Sequence, residues 1–470
     1  MGTHNILLSF AFLLCVSTVR AQDTVPPTIA PDGSPVSQLP VDEVKPTTQP
    51  GASKPLSLAE ALALAHQNAP TLDIAKARVE AAQARLQVAR ARPNPTLALA
   101  QPFTVTGQRG ATGGFDEGVV ASQIIEGPGK RSARSRSAQS ERNASLFDLA
   151  GSGTSLDFAV KSAYFDAERA QSDREVALAT LRDAQQFLQG TTEQEQAGDV
   201  PRRDVLRAQT EADRATSALV QSEADLKIRL QTLASLAGIT DGALPQLSDS
   251  LNFAPVQLDA VALDELAMQR RGDVQSARAT LEARSADIQG AKAARRPDFF
   301  AEARVAQIVP SAGDVKGSSL RVGISLPLFD FGSLKQGIAV ARAGEAEQRA
   351  TLADVQRTAR LEVVTALQTL DAAGQVVKSF QGGRLQRAQT LLDLARTGYA
   401  EGASTLLDVL DARAIFRAEQ ADYNRALAAY NTALADVERS VGGVLPSSAS
   451  LSPAAPAADT APAPLGAKTP

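Results

Sequence analysis

The sequence predicts a mainly α-helical protein with a small β part, built from two similar halves. Three observations support this. Aromatic residues make up only 4 % of the 470 residues and Trp is absent, apolar residues recur at coiled-coil spacing, and one motif occurs twice. Sequences rich in Ala and poor in aromatic residues are typical of long, closely packed helices. The net charge of −4 gives no indication that nucleic acid is a partner.

The repeated motif indicates a tandem duplication. Residues that share an offset of 204 are Gly198 with Gly402, Asp204 with Asp408, and Gly238 with Gly442. This period is far longer than that of a solenoid repeat. We therefore predict two repeats, 55–245 and 259–443, that form one structure.

Both ends of the chain differ in composition from the repeats. Residues 1–21 are interpreted as a secretory signal peptide, because an apolar run ends in Val19-Arg20-Ala21, a small-residue cleavage site. Cys15 follows Leu14 instead of the small residue expected at a lipidation site, so we expect it to be removed with the signal. Residues 22–54 read as a Pro/Thr-rich linker, and 446–470 as a disordered Pro/Ala-rich tail.

Each repeat is expected to contain helices and one strand pair. The first helix is predicted over Leu56–Arg92, with Ser57 and Glu60 as a capping box, a kink at Pro70 and an end before Pro93. The strand pairs are predicted at about 96–126 and 298–329. The four strands are expected at Thr96–Val105, 118–126, Phe299–Val305 and Leu320–Leu326, with loops at Thr106–Gly114 and Pro310–Gly317.

These strands alternate between apolar and polar residues, which indicates a sheet between two environments. Their length suits a tilted crossing of a bilayer. Four strands cannot close a barrel, and open strand edges are not tolerated in lipid. If the strands lie in a membrane, several chains must therefore share one barrel.

The remaining sequence predicts long helical hairpins. Coiled-coil spacings appear in Leu219, Leu226, Leu230, Leu233 and Ala237, and again from Phe416 to Val437. Gly402 is predicted to end one helix with a positive φ angle, and either Ser404 or Thr405 is predicted to cap the next.

This organisation resembles the TolC-like family of outer-membrane efflux proteins. The motifs that carry the resemblance are Leu58-Ala59-Glu60-Ala61-Leu62 with Asn68-Ala69-Pro70, then Pro93-Asn94-Pro95, and the Asp-Val-Leu segments after Gly198 and Gly402. Gly129-Lys130-Arg131 and Leu328-Phe329-Asp330-Phe331 are similar to the heavy-metal (cobalt–zinc–cadmium) efflux branch. The resemblance covers about Leu56–Gly443.

The resemblance implies a homotrimer in the outer membrane of a Gram-negative bacterium. Three chains would form a twelve-stranded barrel, with the helices as a periplasmic α-barrel. Such a channel is an exit duct without enzymatic activity. It passively conducts substrates, with metal cations as one candidate, from an inner-membrane pump, expected to be proton-driven, through a periplasmic adapter protein.

Within this resemblance, Asp408 and Asp411 match paired aspartates at the tunnel entrance. Three residues apart on a helix, they lie on one side, and a trimer would stack them into two acidic rings. The alternative is that both are ordinary carboxylates at a helix start. The counterpart of Asp411 in the first repeat is Arg207, so the acidic pair is confined to the second repeat.

Two further sets of residues follow from the resemblance. Tyr399 and Asp204 match residues that bond across neighbouring helices and hold the entrance shut, although Ser404 replaces the arginine of that latch. The alternative is simple packing of Tyr399. The expected adapter contacts lie at the two hairpin ends: Gly198, Asp199, Val200, Gly402, Ala403 and Ser404. The alternative for these residues is turn chemistry alone.

No cofactor or metal site is expected. After removal of the signal peptide, His66 and Met268 would be the only histidine and methionine, whereas soft metals need thiolate, thioether or imidazole ligands. Three other functions stay open: a type I protein secretion channel, a coiled-coil structural or adhesive surface protein, and, least favoured, an enzyme, because no catalytic constellation is apparent.

Overall fold

A computed structural model describes residues 55–100, 115–239, 244–308, 315–327 and 329–445. The predicted signal peptide, the linker, the loop at Thr106–Gly114 and the tail therefore lie outside the described residues. So do the predicted strand residues 101–105.

The same series of elements occurs twice along the chain. The first half comprises α1 (Leu58–Asn68), α2 (Pro70–Arg90), β1 (Thr96–Ala100), β2 (Phe115–Ile125), α3 (Lys130–Ala197) and α4 (Arg202–Ala237). The second comprises α5 (Ala260–Arg270), α6 (Gly272–Ala293), β3 (Asp298–Ile308), β4 (Val315–Ser325), α7 (Ser333–Ser379), α8 (Leu385–Ala400) and α9 (Leu406–Val441). Helices α4 and α9 are offset by 204 residues at both ends, and the internal repeat is confirmed. None of the helices in the described ranges is long and apolar enough to cross a membrane.

The predicted helix Leu56–Arg92 is wrong as one element, because it is divided at Ala69. Ala69 is extended, with φ −72° and ψ 116°, since the proline that follows it disfavours helical backbone. Pro70 therefore begins α2 instead of kinking a continuous helix. The capping box at Ser57 and Glu60 is present, with the Glu60 amide donating to Ser57 Oγ at 3.3 Å.

The second half contains a break that the first half lacks. Helix α7 passes into α8 through a π-helical turn, Phe380–Arg384, in which Gly383 has φ +88°. Glycine adopts this left-handed conformation without the steric cost that other residues carry. At the corresponding positions α3 has Leu178 and Ala179 and continues unbroken.

The four strands form one antiparallel sheet in the order β1-β2-β3-β4, and the pairing of β2 with β3 joins the two halves. With Ile124 as an exception on the other face, the register places most of the exposed apolar side chains on one face: Leu97, Leu99, Val119, Ile125, Phe299, Val305, Leu320, Val322 and Ile324. The opposite face carries Thr96, Ser122, Glu302, Arg304 and Arg321. The sheet is therefore amphipathic, as its alternating sequence predicts.

Two strands begin earlier than their sequence pattern suggests. The prediction of a loop at Pro310–Gly317 is wrong for Val315–Gly317, because these residues extend the pairing of β4 with β3, with Val315 opposite Ile308. Strand β2 begins at Phe115 instead of residue 118, again through pairing with β3. Ladder hydrogen bonds carry both strands beyond the alternating stretch.

Each half has its own apolar core near the ends of its shorter helices. In the first, the buried Tyr164 donates to the Leu56 carbonyl at 2.9 Å. In the second, Tyr430 donates to the Ala254 carbonyl at 2.7 Å. The first core also holds Glu168, which is 5 % exposed. Burial, together with the negative charge of Asp249, raises the pKa of Glu168 to about 7.

Candidate functional site at the hairpin ends

The first hairpin end joins α3 to α4 through a glycine turn. Gly198 has φ +86°, and the Asp199 amide donates to the Gln194 carbonyl at 2.9 Å. Such bonds satisfy the last carbonyls of a helix. Pro201 precedes α4 and provides no side-chain cap. The turn presents Gly198 and Asp199 to solvent and leaves Val200 half-buried.

The second hairpin end joins α8 to α9 through a similar glycine turn. Gly402 has φ +74°, and the amides of Ala403 and Ser404 both donate to the Gly398 carbonyl, at 2.7 and 3.0 Å. A side chain at Gly398 would collide with Ser404. The turn therefore holds Ser404 against the preceding helix.

Thr405, and not Ser404, caps α9. The Asp408 amide donates to Thr405 Oγ1 at 3.3 Å, while the Thr405 amide and hydroxyl donate to Asp408 Oδ2 at 2.8 and 2.7 Å. This is a reciprocal capping box. The sequence left the choice between the two residues open, and the geometry of the turn decides it.

Asp408 and Asp411 are both exposed on α9, three residues apart and thus on one side of the helix. The hydrogen bonds from Thr405 lower the pKa of Asp408, so its carboxylate stays ionised further into the acid range. Only Oδ2 takes part in the cap, which leaves Oδ1 for solvent or a cation. Within the described residues, Asp411 has no hydrogen bond or ion pair.

Tyr399 and Asp204 come from different hairpins and lie near each other. Burial and the charge of Asp204 raise the pKa of Tyr399, but the buried phenol oxygen has no hydrogen-bond partner in the described part of the chain. The carboxylate of Asp204 lies 3.6 Å from Arg203 and 3.9 Å from Arg207. The latch inferred from these two residues stays a prediction.

Contacts between the two hairpins involve residues that the sequence did not single out. The ring of Tyr399 lies 6.0 Å from that of Phe187. Arg396 pairs with Asp183 at 2.6 Å, and Arg417 pairs with Glu211 at 2.7 Å. Arg413 and Arg417 are four residues apart on α9, a spacing that places both on one face of the helix. Nothing in the sequence tells which helix that face meets.

No group of three or more His, Cys, Asp or Glu side chains within the described ranges is arranged to hold a metal ion. His66, the histidine considered above, lies at the surface with Nε2 2.6 Å from Asp157. The site thus consists of two glycine turns, an exposed acidic pair and a half-buried tyrosine.

The fold is that of known outer-membrane channels. The structure of the Campylobacter jejuni CmeC outer membrane channel matches with a TM-score of 0.70 and 18 % identity, covering 82 % of this chain and 85 % of that one. The Pyoverdine export outer membrane protein OpmQ of Pseudomonas aeruginosa is 27 % identical over 344 residues, which are 72 % of this chain and 70 % of OpmQ. The Cobalt-zinc-cadmium resistance protein CzcC of Cupriavidus metallidurans is 25 % identical over 369 residues, 78 % of this chain and 85 % of CzcC.

The sequence profile of the Outer membrane efflux protein family matches residues 61–239 and again 263–443. The chain belongs to this family, whose members are channel proteins. It is a TolC-like outer-membrane efflux channel, as the resemblance predicted, and the heavy-metal branch is one of several similar groups. The double match agrees with the internal repeat.

Proposed function

We propose that three copies of this chain form the exit duct of a tripartite efflux system in the outer membrane of a Gram-negative bacterium. Strands β1 and β4 are the edge strands of the described sheet, and one sheet face is apolar and exposed. Since unpaired strand edges are not tolerated in lipid, neighbouring copies supply the missing partners. Twelve strands then close the barrel, and the helices extend into the periplasm. A signal peptide at residues 1–21, removed on export, directs the chain there.

The exposed acidic pair is the observation that supports a cation-selective entrance. Three copies of Asp408 and Asp411 form two stacked acidic rings, a known means of selecting cations. The capping bonds of Asp408 support this role because they hold its carboxylate in one orientation and favour its ionised form. The cap and the ring are compatible, since each uses a different carboxylate oxygen.

The two glycine turns are the proposed docking points for the periplasmic adapter, which links the duct to a proton-driven inner-membrane pump. Asp199, Gly402 and Ala403 are exposed at these turns. Most turn amides are already bonded within the chain, so the adapter must contact the side chains and the outer backbone surface. Tyr399 and Asp204, directly behind the turns, are the proposed latch that closes the entrance.

Metal cations are the proposed cargo, since an acidic entrance concentrates them. One relative is named for cobalt, zinc and cadmium resistance and another for pyoverdine export, which gives two chemical classes to compare. The channel conducts the ion and does not store it, because selection by two carboxylates needs no complete ligand set.

Deletion of this gene in its source bacterium tests the cargo. Growth is measured in graded cobalt, zinc and cadmium, and siderophore release is measured in iron-limited medium. We expect the deletion to lower metal tolerance, with recovery by wild type and by Asp213→Asn, an exposed carboxylate on α4 outside the hairpin ends, but not by Asp408→Asn/Asp411→Asn. Unchanged metal tolerance together with lost siderophore release would overturn the proposed cargo while leaving the channel in place.

A further inference from the structure

A cavity of about 510 Å³ lies between the two hairpins. Four helices contribute to its walls: α3, α4, α8 and α9. On α9 the cavity is lined by Arg413 and Arg417, which follow Asp408 by five and nine residues. At 100° per residue these positions point about 140° and 180° away from Asp408. The cavity is therefore on the side of α9 opposite to the acidic pair.

Three arginines and three carboxylates face this cavity, but their pairing is uneven. Asp183 is held by Arg396 at 2.6 Å, and Glu211 is held by Arg417 at 2.7 Å. The third acid, Glu175, is exposed at the margin. Both carboxylates inside the cavity thus already have a close arginine partner.

Arg413 is the cation that lacks such a partner. It is only 7 % exposed, its Nη2 is 3.6 Å from the shared Asp183, and its Nε has no hydrogen-bond partner among the described residues. The guanidinium instead stacks over the Phe187 ring, with Cζ 4.3 Å from the ring centroid. A buried charge without a close counter-ion is costly. Burial, with repulsion from Arg396 and Arg417, lowers the pKa of Arg413 despite the attraction of Asp183 and Glu211.

We propose that this cavity binds a small organic anion, namely a carboxylate with an apolar body. A guanidinium offers a planar pair of donors that matches a carboxylate, and Arg413 has a donor to spare. Val176, Leu392 and Phe416 supply apolar wall for the body of the ligand. The volume lies in the range of small-molecule sites. Because only Arg413 lacks a close carboxylate partner, a ligand with a single negative charge would complete the pairing.

Binding at this place would link the two hairpins. Arg413 and Phe416 belong to α9, whereas Val176 belongs to α3. A ligand that touches all three restrains movement of one hairpin against the other. The anion site is thus a candidate means of holding the hairpin ends in one arrangement.

Titration calorimetry of the full-length protein in detergent tests the proposal, with benzoate as the probe and neutral benzamide as the matched compound. We expect saturable benzoate binding and at least tenfold weaker binding of benzamide. Arg413→Gln should weaken benzoate binding at least tenfold. Arg425→Gln, an exposed arginine on the same helix that pairs with Asp422 at 2.6 Å, should leave it unchanged.

The comparison of benzoate with benzamide uses the unmodified chain, so it does not depend on the folding of a variant. Because the protein has no Trp, Phe416→Trp places one fluorescent reporter in the cavity wall, and its emission should follow the benzoate titration. Absence of saturable benzoate binding, equal binding of benzamide, or binding that leaves this emission unchanged would each overturn the proposal.

Discussion

At the first hairpin end, Asp204 lies beside Arg203 and Arg207. At the second end the corresponding Asp408 caps a helix, and no arginine in the described part of the chain pairs with it. Asp411 stands where the first repeat has Arg207. Both ends nevertheless turn at a glycine of positive φ, Gly198 or Gly402. The turn conformation is shared between the two repeats, while the charges on it differ.

This contrast indicates which features a duplicated structure must keep. Glycines that adopt left-handed backbone cannot be replaced without strain, and Gly238 and Gly442 likewise end α4 and α9 in equivalent positions. Exposed charges carry no such constraint, because surface ion pairs contribute little to stability. The second hairpin end was therefore free to become acidic, and this divergence is where a specific function is expected.

The largest effect is expected from Gly442→Ala, measured against Gly198→Ala. Both glycines have φ +86°, which costs a residue with Cβ on the order of 1 kcal/mol. At Gly442 the added Cβ would also lie 2.8–2.9 Å from the backbone of Arg270 and Arg271, whereas at Gly198 it meets open space. We expect Gly442→Ala to cost about 3 kcal/mol or more and Gly198→Ala about 1 kcal/mol, measured as thermal unfolding by circular dichroism. Equal losses of stability in the two variants would show that a Cβ at Gly442 meets no more steric hindrance than one at Gly198.

The next effect concerns Glu168, whose counterpart in the second repeat is Ala372. Because burial raises the pKa of Glu168 to about 7, the unfolded chain releases this proton at lower pH than the folded one. Stability is therefore lost as pH rises from the unfolded pKa toward 7, and it levels off above. We expect Glu168→Gln to stabilise the protein by about 2 kcal/mol at pH 8 and to change little at pH 4.

Thermal unfolding at a series of pH values measures this difference. Asp166→Asn is a suitable control, since Asp166 is a half-buried residue on the same helix as Glu168 and pairs with Arg229 of α4 at 3.4 Å. A variant of Glu168 with the same pH dependence as wild type would mean that this carboxyl is not buried in the folded protein.

The sequence was sufficient to predict the repeat, the presence of long helices and strand pairs, and the glycine turns, because each depends on local spacing and on glycine or proline positions. It did not reveal the π-helical turn at Phe380–Arg384, although Gly382-Gly383 in a helical stretch is a usable signal. It also missed Asp183, Phe187 and Arg413. Their importance comes from contacts between separate hairpins, which no pattern along the chain encodes.

A smaller effect on stability is expected from removing the helix cap at Thr405 while the charge of Asp408 is kept. Thr405→Ala removes the hydroxyl that caps α9 and should cost about 1 kcal/mol, whereas Ser404→Ala should cost nearly nothing. Because the Thr405 bonds lower the pKa of Asp408, their contribution is present at neutral pH and is lost as pH falls through the folded pKa. Thermal unfolding at pH 7 and pH 3 checks both points. Equal losses from the two variants would contradict Thr405 as the cap.

The acidic pair is best tested by the reversal potential of the channel in a planar bilayer with a KCl gradient. Wild type and Thr405→Ala, which keeps both charges, should be cation-selective, as should Asp199→Asn at the first hairpin end. Asp408→Asn/Asp411→Asn should lose most of that selectivity while still conducting. If the double variant keeps the wild-type reversal potential, the second hairpin end is not the selective entrance, and the contrast between the two ends has no role in conduction.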